Sequence, residues 1–284
     1  MLEHQCVKAG PIGPKGFLMK NLTLAAALLG YIAIVPSAHA QSLTTFFDDI
    51  EVTSTIDTVS EYVFRGMSAG GSSIQPGTEF NVYGFTVGTW YSAGFGKDSA
   101  AQIDELDIYA GYQIPLNGPL QLGIGGTAYV YPQGNNIFDG TGGTVATYEV
   151  NGTAGAEDFF LSPSVFAAYD FTLDNFTVEG NLSHSFDLPR EGWSAELGLN
   201  VGHVELDEAI QVTTLDEAFD SYQYGTLSIA ANKVITKDIS FSISGSFSAN
   251  TEDDVLDFDI DAVDTGFRDS DSVFWFGTGF SASY

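Results

Sequence analysis

Long segments of this chain alternate apolar and polar residues with a period of two. In residues 239–249, Ile239, Phe241, Ile243 and Phe247 alternate with five serines. A period of two places the two sets on opposite faces of an extended strand. The segments run to about ten residues, the length a tilted strand needs to cross a bilayer, whereas sandwich strands usually have about five or six. The pattern predicts an all-β fold, a transmembrane antiparallel up-and-down β-barrel.

Alternation and turn signals together predict about twelve crossings, an even number as in single-chain bacterial barrels. The predicted crossings are residues 50–64, 78–84, 85–95, 103–114, 120–131, 159–171, 175–187, 193–201, 203–212, 221–233, 239–250 and 272–284. The turns near Gly84 and Gly202 are weakly marked, which leaves ten strands as an alternative.

The predicted connections differ in length. Short ones lie near Gly84 and Gly202 and at residues 115–119, 172–175 and 234–238. Longer ones are residues 65–77, 132–158, 213–220 and 251–271. We expect short turns on the periplasmic side and long loops outside.

The last segment has one strongly aromatic face. Phe274, Phe276, Phe280 and Tyr284 share one parity, opposite Trp275 and a row of glycines and serines. From Phe274 to Tyr284, ten steps of ~3.3 Å at ~40° tilt cover about 25 Å, the height of the apolar band of a barrel. We therefore expect this strand to close the barrel against the first one, to carry aromatic-girdle residues, and to be recognised by the barrel-assembly machinery. The alternative is that these aromatics fill a soluble core.

The beginning of the chain has the pattern of an export signal. The apolar run of residues 22–35 follows Lys20, and the small residues before Gln41 match a cleavage site after Ala40. The run is short for a membrane-spanning helix, which needs about 20 apolar residues. We predict an upstream segment and cleaved signal peptide over residues 1–40, starting at Met1 or Met19, and a barrel over residues 41–284. This implies Sec-type export to the bacterial outer membrane, with its lipids as partners.

Charge and cysteine content exclude several functions. The chain has 37 acidic and 9 basic residues and a net charge of −28, which argues against nucleic acid as a partner. Its one cysteine, Cys6, precedes the predicted cleavage site, so the mature domain has no thiol for a disulfide, metal site or nucleophile. Solvated acidic loops account for most of the charge.

Three blocks in the first half of the chain carry a resemblance. Residues 60–68 read SEYVFRGMS, residues 88–92 read GTWYS and residues 105–112 read ELDIYAGY. In this order and at about this spacing they resemble the signature blocks of the TorF-like porin family, a conserved bacterial family of unknown function. The resemblance covers about residues 55–135. It implies an outer-membrane barrel that acts as a diffusion channel, and no particular substrate.

The charged residues of these blocks predict a lumen. If Tyr62 and Phe64 face lipid, Arg65 faces the lumen near the outer mouth. This orientation is favoured because a charge facing lipid at mid-depth costs roughly 2–4 kcal/mol. Glu79 from the next strand can then pair with Arg65. The predicted pore-lining residues are Glu61, Arg65, Glu79, Glu105, Asp107, Tyr109, Glu179 and Glu196. An acidic lumen favours cations. The alternative is that these charges form interior ion pairs that brace and partly fill the barrel.

Other candidate chemistry is sparse, and we expect no enzymatic activity. His184 shares its face with Leu182 and Phe186, so the serine–histidine arrangement of outer-membrane phospholipases is missing. His203 is placed at a turn. We expect no cofactor.

The acidic loop near the end of the chain offers one metal candidate, a loosely bound divalent cation. Asp257, Asp259 and Asp261 resemble a calcium loop, but Ala262 and Arg268 occupy its required glycine and glutamate positions. The sequence therefore does not predict an EF-hand here.

The combined prediction is an outer-membrane porin that passes small hydrophilic solutes by passive diffusion, with a preference for cations. One alternative is a non-conducting structural or adhesive barrel. Another is a secreted, acidic, glycan-binding β-sandwich.

Overall fold

Twelve strands form a closed antiparallel barrel, and two further strands form a separate hairpin. The computed structural model describes residues 49–95, 104–132, 145–156, 159–206, 221–251 and 272–284. The barrel strands are β1 (Glu51–Val59), β4 (Ser73–Val82), β5 (Phe85–Gly94), β6 (Glu105–Ile114), β7 (Leu120–Tyr131), β8 (Val145–Ala156), β9 (Ser164–Asp170), β10 (Asn175–Asp187), β11 (Trp193–Leu206), β12 (Ser221–Val234), β13 (Ile239–Asn250) and β14 (Ser272–Ser283). The hairpin strands are β2 (Tyr62–Phe64) and β3 (Met67–Gly70). The predicted fold class and strand count are confirmed.

The barrel closes where β14 pairs with β1. The register runs from Thr53 opposite Ser283 to Val59 opposite Gly277. Beyond it, Tyr284 and Val52 exchange two backbone hydrogen bonds of 2.9 and 3.1 Å. Closure leaves no exposed sheet edge, and it is incompatible with the two-sheet sandwich of the glycan-binding alternative.

Two errors in the predicted strands, one strand missed and one strand divided in two, cancel in the count. Strand β8 lies inside the predicted loop 132–158, because alanines and glycines weaken its apolar alternation. Strand β11 continues through Gly202, which was predicted as a turn. Gly202 serves side-chain packing instead: a Cβ there would lie 2.3 Å from Cζ of Tyr224.

The missed strand also changes which turns lie at which end. The first barrel strand begins and the last one ends at the same end of the barrel, which also carries the turns at residues 83–84, 115–119, 188–192 and 235–238. We call it the periplasmic end, following the expectation that short turns lie on that side. The short turn at residues 171–174 lies at the outer end, among the long loops, contrary to the prediction. The additional strand between residues 132 and 158 reverses the direction predicted for each strand that follows it. The turn wrongly predicted at Gly202 restores the predicted directions from that point on.

The β2–β3 hairpin folds into the barrel. Strand β1 ends at Val59 rather than at residue 64, so the first wall strand does not include the motif. Arg65 and Gly66 form the two-residue turn with φ of 41° and 81°, as in a type I′ turn. Tyr62 and Phe64 are 1% exposed, inside the barrel, so the expectation that they face lipid is wrong.

The wall has an apolar outer face and a polar inner face. Outward positions carry exposed apolar side chains such as Ile124, Leu227 and Phe276, whereas Ser246 and Ser248 of the β13 serine row are buried inside. This alternation suits lipid on one side and a polar lumen on the other. Among the described residues, no helix is long and apolar enough to span a membrane.

Candidate functional site

A buried ion pair attaches the hairpin tip to the wall. Arg65 Nη2 lies 2.5 Å from Glu149 Oε2 on β8, and both side chains are at most 3% exposed. The guanidinium also lies over Phe64, 4.9 Å from the ring centroid. The partner of Arg65 is therefore Glu149 and not the predicted Glu79. Sequence analysis missed Glu149 because it missed β8.

Further contacts hold both sides of the hairpin. The Tyr62 hydroxyl donates to Glu105 Oε2 at 3.1 Å, and Asn250 Nδ2 donates to the Gly66 carbonyl at 3.1 Å. Ser68 donates to Glu61. The apolar residues packed together in this region are Phe64, Met67, Val204, Leu206, Tyr222 and Tyr224. The hairpin therefore fills part of the lumen towards the outer end.

The wall contains two matching rows of glutamate, glycine and tyrosine, which we call the Glu–Gly–Tyr rows. In the first, Glu79 of β4 pairs with Gly88 of β5, which pairs with Tyr109 of β6. The tyrosine ring lies across the glycine, where a Cβ would be 2.3 Å from Cζ. Its hydroxyl donates to Glu79 Oε2 at 3.2 Å. Glycine is required because the ring occupies the space of its side chain.

The second row repeats this arrangement on the opposite wall. Glu179 of β10, Gly202 of β11 and Tyr224 of β12 are in register. The Tyr224 hydroxyl donates to Glu179 Oε1 across the glycine. Because the rows start six strands apart in a twelve-stranded ring, they lie on opposite walls of the barrel.

An asparagine completes the environment of each carboxylate. Asn81 Nδ2 donates to Glu79 Oε1 at 3.0 Å, and Asn200 Nδ2 donates to Glu179 Oε2 at 3.1 Å. Both glutamates are half-buried. Within the described part of the chain, neither forms an ion pair. Donors to the charged form hold the carboxylates in place without neutralising them.

The interior is acidic overall. Of the four cations in the described ranges, Arg65 is inside and paired with Glu149, Lys233 faces outward, and Arg190 and Lys237 lie in periplasmic turns. The carboxylates at inward positions of the described strands are Glu51, Asp57, Glu79, Glu105, Asp107, Glu149, Asp170, Glu179, Asp187 and Glu196. The wall therefore carries a large excess of negative charge.

The predicted pore-lining residues separate into groups. Glu79, Tyr109 and Glu179 belong to the Glu–Gly–Tyr rows, and Glu196 points inward, where it accepts a 2.8 Å hydrogen bond from Ser185. Glu105 and Asp107 also point inward but are 0% and 7% exposed, so they are buried near the hairpin. Glu61 is half-buried in the segment that leads into β2, and it belongs with Arg65 to the hairpin region.

The predicted girdle residues lie on the outer surface. Phe274, Phe276, Phe280 and Tyr284 all point outward and are more than half exposed. Their parity matches the sequence prediction, and their girdle role stays a prediction.

The remaining candidates do not form a site. His184 faces outward and bonds the Phe160 carbonyl through Nδ1 at 2.7 Å. His203 lies within β11 rather than at a turn and contacts Gln223. Asp257, Asp259 and Asp261 lie outside the described residues. In the ranges the structure covers, no group of three or more histidine, cysteine or acidic residues has an arrangement that would hold a metal ion.

Sequence analysis missed Tyr62, Glu149, Asn200 and Tyr224. Tyr62 was assigned to lipid, and β8 was not recognised. A glycine opposite a tyrosine on the neighbouring strand could have indicated the rows, but this pairing is visible only when the strand register is known. Gly202 and Tyr224 lie far apart in the sequence.

Comparison with known proteins identifies a family and a fold. The model of a family described as "Bacterial protein of unknown function (Gcw_chp)" matches residues 46–274, and the chain belongs to this family. No curated protein matches the chain. Because the family has no assigned function, the TorF-like label stays a prediction.

Among solved structures, the NanC porin aligns with a TM-score of 0.50 and 10% identity, covering 81% of this chain and 98% of the porin. LpxR from Salmonella typhimurium aligns at 0.46 with 9% identity, covering 81% and 99%. The COG4313 outer membrane channel from Pseudomonas putida F1 aligns at 0.43 with 15% identity, covering 83% and 94%. The first likeness shows the fold of an outer-membrane barrel and no more, and the other two carry no further argument.

Proposed function

We propose that this member of the Gcw_chp family is an outer-membrane porin whose narrow, acidic lumen passes small hydrophilic solutes and prefers cations. The observation that supports it best is the pair of Glu–Gly–Tyr rows. They hold Glu79 and Glu179 on opposite walls, while the one interior cation of the described chain is already paired with Glu149.

Unneutralised carboxylates in a narrow lumen create a negative potential, because the low-dielectric wall concentrates the field. Such a potential raises the local concentration of cations and excludes anions, as carboxylate rings do in cation channels. The mechanism is passive diffusion, with selection by charge at the two glutamates and by size beside the hairpin.

A non-conducting barrel is the second candidate, and the hairpin is the observation that favours it. Its buried ion pair and apolar packing occupy the outer part of the lumen, and a barrel of this size has little spare interior.

Planar-bilayer recording tests the proposal. We expect discrete conductance steps and a cation-selective reversal potential in a potassium chloride gradient. Replacing both rows' carboxylates, Glu79→Gln with Glu179→Gln, should move the reversal potential towards zero because the fixed charge is lost. The control is Glu205→Gln, an exposed carboxylate on the outer surface, which should leave it unchanged.

A folded protein with no conductance in repeated insertions would refute the porin and support the non-conducting barrel. An anion-selective wild type would refute the role of the two glutamates.

Several further expectations belong to the same proposal. They are a cleaved signal peptide over residues 1–40, Sec-type export, location in the outer membrane, insertion by the barrel-assembly machinery, and the absence of enzymatic activity and of a cofactor. The outward aromatic surface and the barrel fold support the membrane location.

A further inference from the structure

Two cations in the part of this acidic protein that the structure describes lack a carboxylate partner. The chain has 37 acidic but only 9 basic residues, so partners are abundant. Nevertheless, in the described ranges, Arg190 and Lys233 form no ion pair, unlike Lys237, which lies 3.1 Å from Asp238. Both belong to the same corner of the periplasmic end, where the β10–β11 turn meets the end of β12.

Lys233 also has an unusual position on the wall. At outward positions of the described barrel strands, the charged residues are Lys233 and Glu205. In the β11–β12 register, Lys233 lies opposite Trp193 and Glu205 lies opposite Ser221. The two charged residues are therefore separated by twelve residues along β12. At ~3.3 Å per residue and ~40° tilt this is about 30 Å, slightly more than the ~25 Å apolar band. The two charges therefore lie at opposite polar boundaries of the membrane, Lys233 at the periplasmic one.

The indole ring of Trp193 lies close to both cations. Cζ of Arg190 is 5.5 Å from the indole centroid, and Nζ of Lys233 is 5.9 Å from it. Backbone hydrogen bonds fix this corner: Trp193 N donates to the Arg190 carbonyl at 3.0 Å, and Val234 N to the Gly192 carbonyl at 2.9 Å. Lys233 Nζ donates to the Glu191 carbonyl at 2.8 Å, which leaves ammonium protons for another acceptor.

We propose that Arg190, Trp193 and Lys233 form a headgroup site for anionic phospholipids of the periplasmic leaflet. Guanidinium and ammonium groups are the usual protein donors to phosphate, and tryptophan prefers the membrane interface. The exposed Glu191 is the nearest carboxylate in sequence, and its carbonyl rather than its side chain is what Lys233 contacts. The site depends on the barrel lying in a membrane and not on conduction.

Tryptophan fluorescence offers a local readout of this site. The chain has three tryptophans, and Trp90 and Trp275 occupy inward positions, so Trp193 is the one that faces lipid. A Trp90→Phe/Trp275→Phe variant would be reconstituted in mixed vesicles of phosphatidylglycerol and phosphatidylcholine. In one series phosphatidylglycerol carries the brominated chains, and in the other series phosphatidylcholine carries them.

We expect Trp193 quenching to show at least about five-fold preference for phosphatidylglycerol, since each basic residue near an anionic surface contributes roughly that factor. Arg190→Gln with Lys233→Gln should reduce the preference to about one, whereas Lys237→Gln should retain it. Inorganic phosphate added to phosphatidylcholine vesicles should not change the emission, because the site takes a lipid headgroup.

Equal quenching by the two lipids, or a preference that survives the double substitution, would overturn the proposal. The heat-modifiable gel shift checks the folding of each variant. If the double variant does not fold, Lys233→Gln alone replaces it, and we expect that variant to lose part of the lipid preference. Bilayer conductance of the same proteins separates the outcomes, because a failed lipid preference with intact conductance refutes this site and not the porin.

Discussion

Two groups of charges in the lumen are treated differently. Towards the outer end, Arg65 and Glu149 are almost fully buried and paired with each other. In the Glu–Gly–Tyr rows, Glu79 and Glu179 are half-buried, held by hydroxyl and amide donors, and form no ion pair within the described ranges. Burial makes an unpaired charge very costly, whereas a water-accessible carboxylate keeps its charge at little cost. The hairpin pair is therefore organised for stability, and the rows retain charge that can act on a solute.

The largest expected effect is at the paired charges towards the outer end. Glu149→Ala should destabilise the barrel by about 3–5 kcal/mol, because it leaves Arg65 buried without its counter-charge. Urea unfolding in detergent measures this. Adding Arg65→Met should recover much of the loss, since the orphaned charge is then removed. A loss below about 1 kcal/mol for the single change would show that the pair does not hold the hairpin.

A smaller effect is expected where the Glu–Gly–Tyr rows depend on backbone space. Gly202→Ala places a Cβ 2.3 Å from Cζ of Tyr224 and should cost about 1–3 kcal/mol through displacement of the ring. Gly180→Ala on the neighbouring strand is the matched control, because its Cβ would meet only Val201 at an ordinary 3.7 Å. Equal unfolding midpoints for the two variants would contradict the proposed packing.

The smallest effect separates the orientation of a carboxylate in the Glu–Gly–Tyr rows from its charge. Tyr109→Phe removes the hydroxyl that bonds Glu79 but keeps the ring over Gly88, so we expect a loss of about 1 kcal/mol. The reversal potential should keep its sign, because the carboxylate remains. The control is Tyr83→Phe in a periplasmic turn, where a hydrogen bond to Asp49 raises the pKa of the exposed tyrosine. A reversed sign in Tyr109→Phe would show that orientation rather than charge controls selectivity.

The errors of the sequence prediction have physical causes. Strand β8 escaped recognition because its outward positions include Gly152, Ala154 and Ala156, which contribute little apolar signal. Gly202 resembled a turn because glycine usually marks a bend or a loop, but here it makes room for a tyrosine ring. The in-folded hairpin escaped because its alternation continues that of β1 without a break in pattern, although the chain leaves the wall after Val59.

The sequence by itself determined the fold class, the strand count, the polar inner serine row and the outward aromatic face of the closing strand. These follow from the period of two, which is a local property of each segment. Only the tertiary structure decided that Arg65 pairs with Glu149, and that Glu79 and Glu179 lie on opposite walls in matching rows. Such contacts depend on which strands are neighbours and on their register, and a slip of one residue replaces every cross-strand partner. No local pattern carries that information, because the partners come from segments separated by 30 to 84 residues.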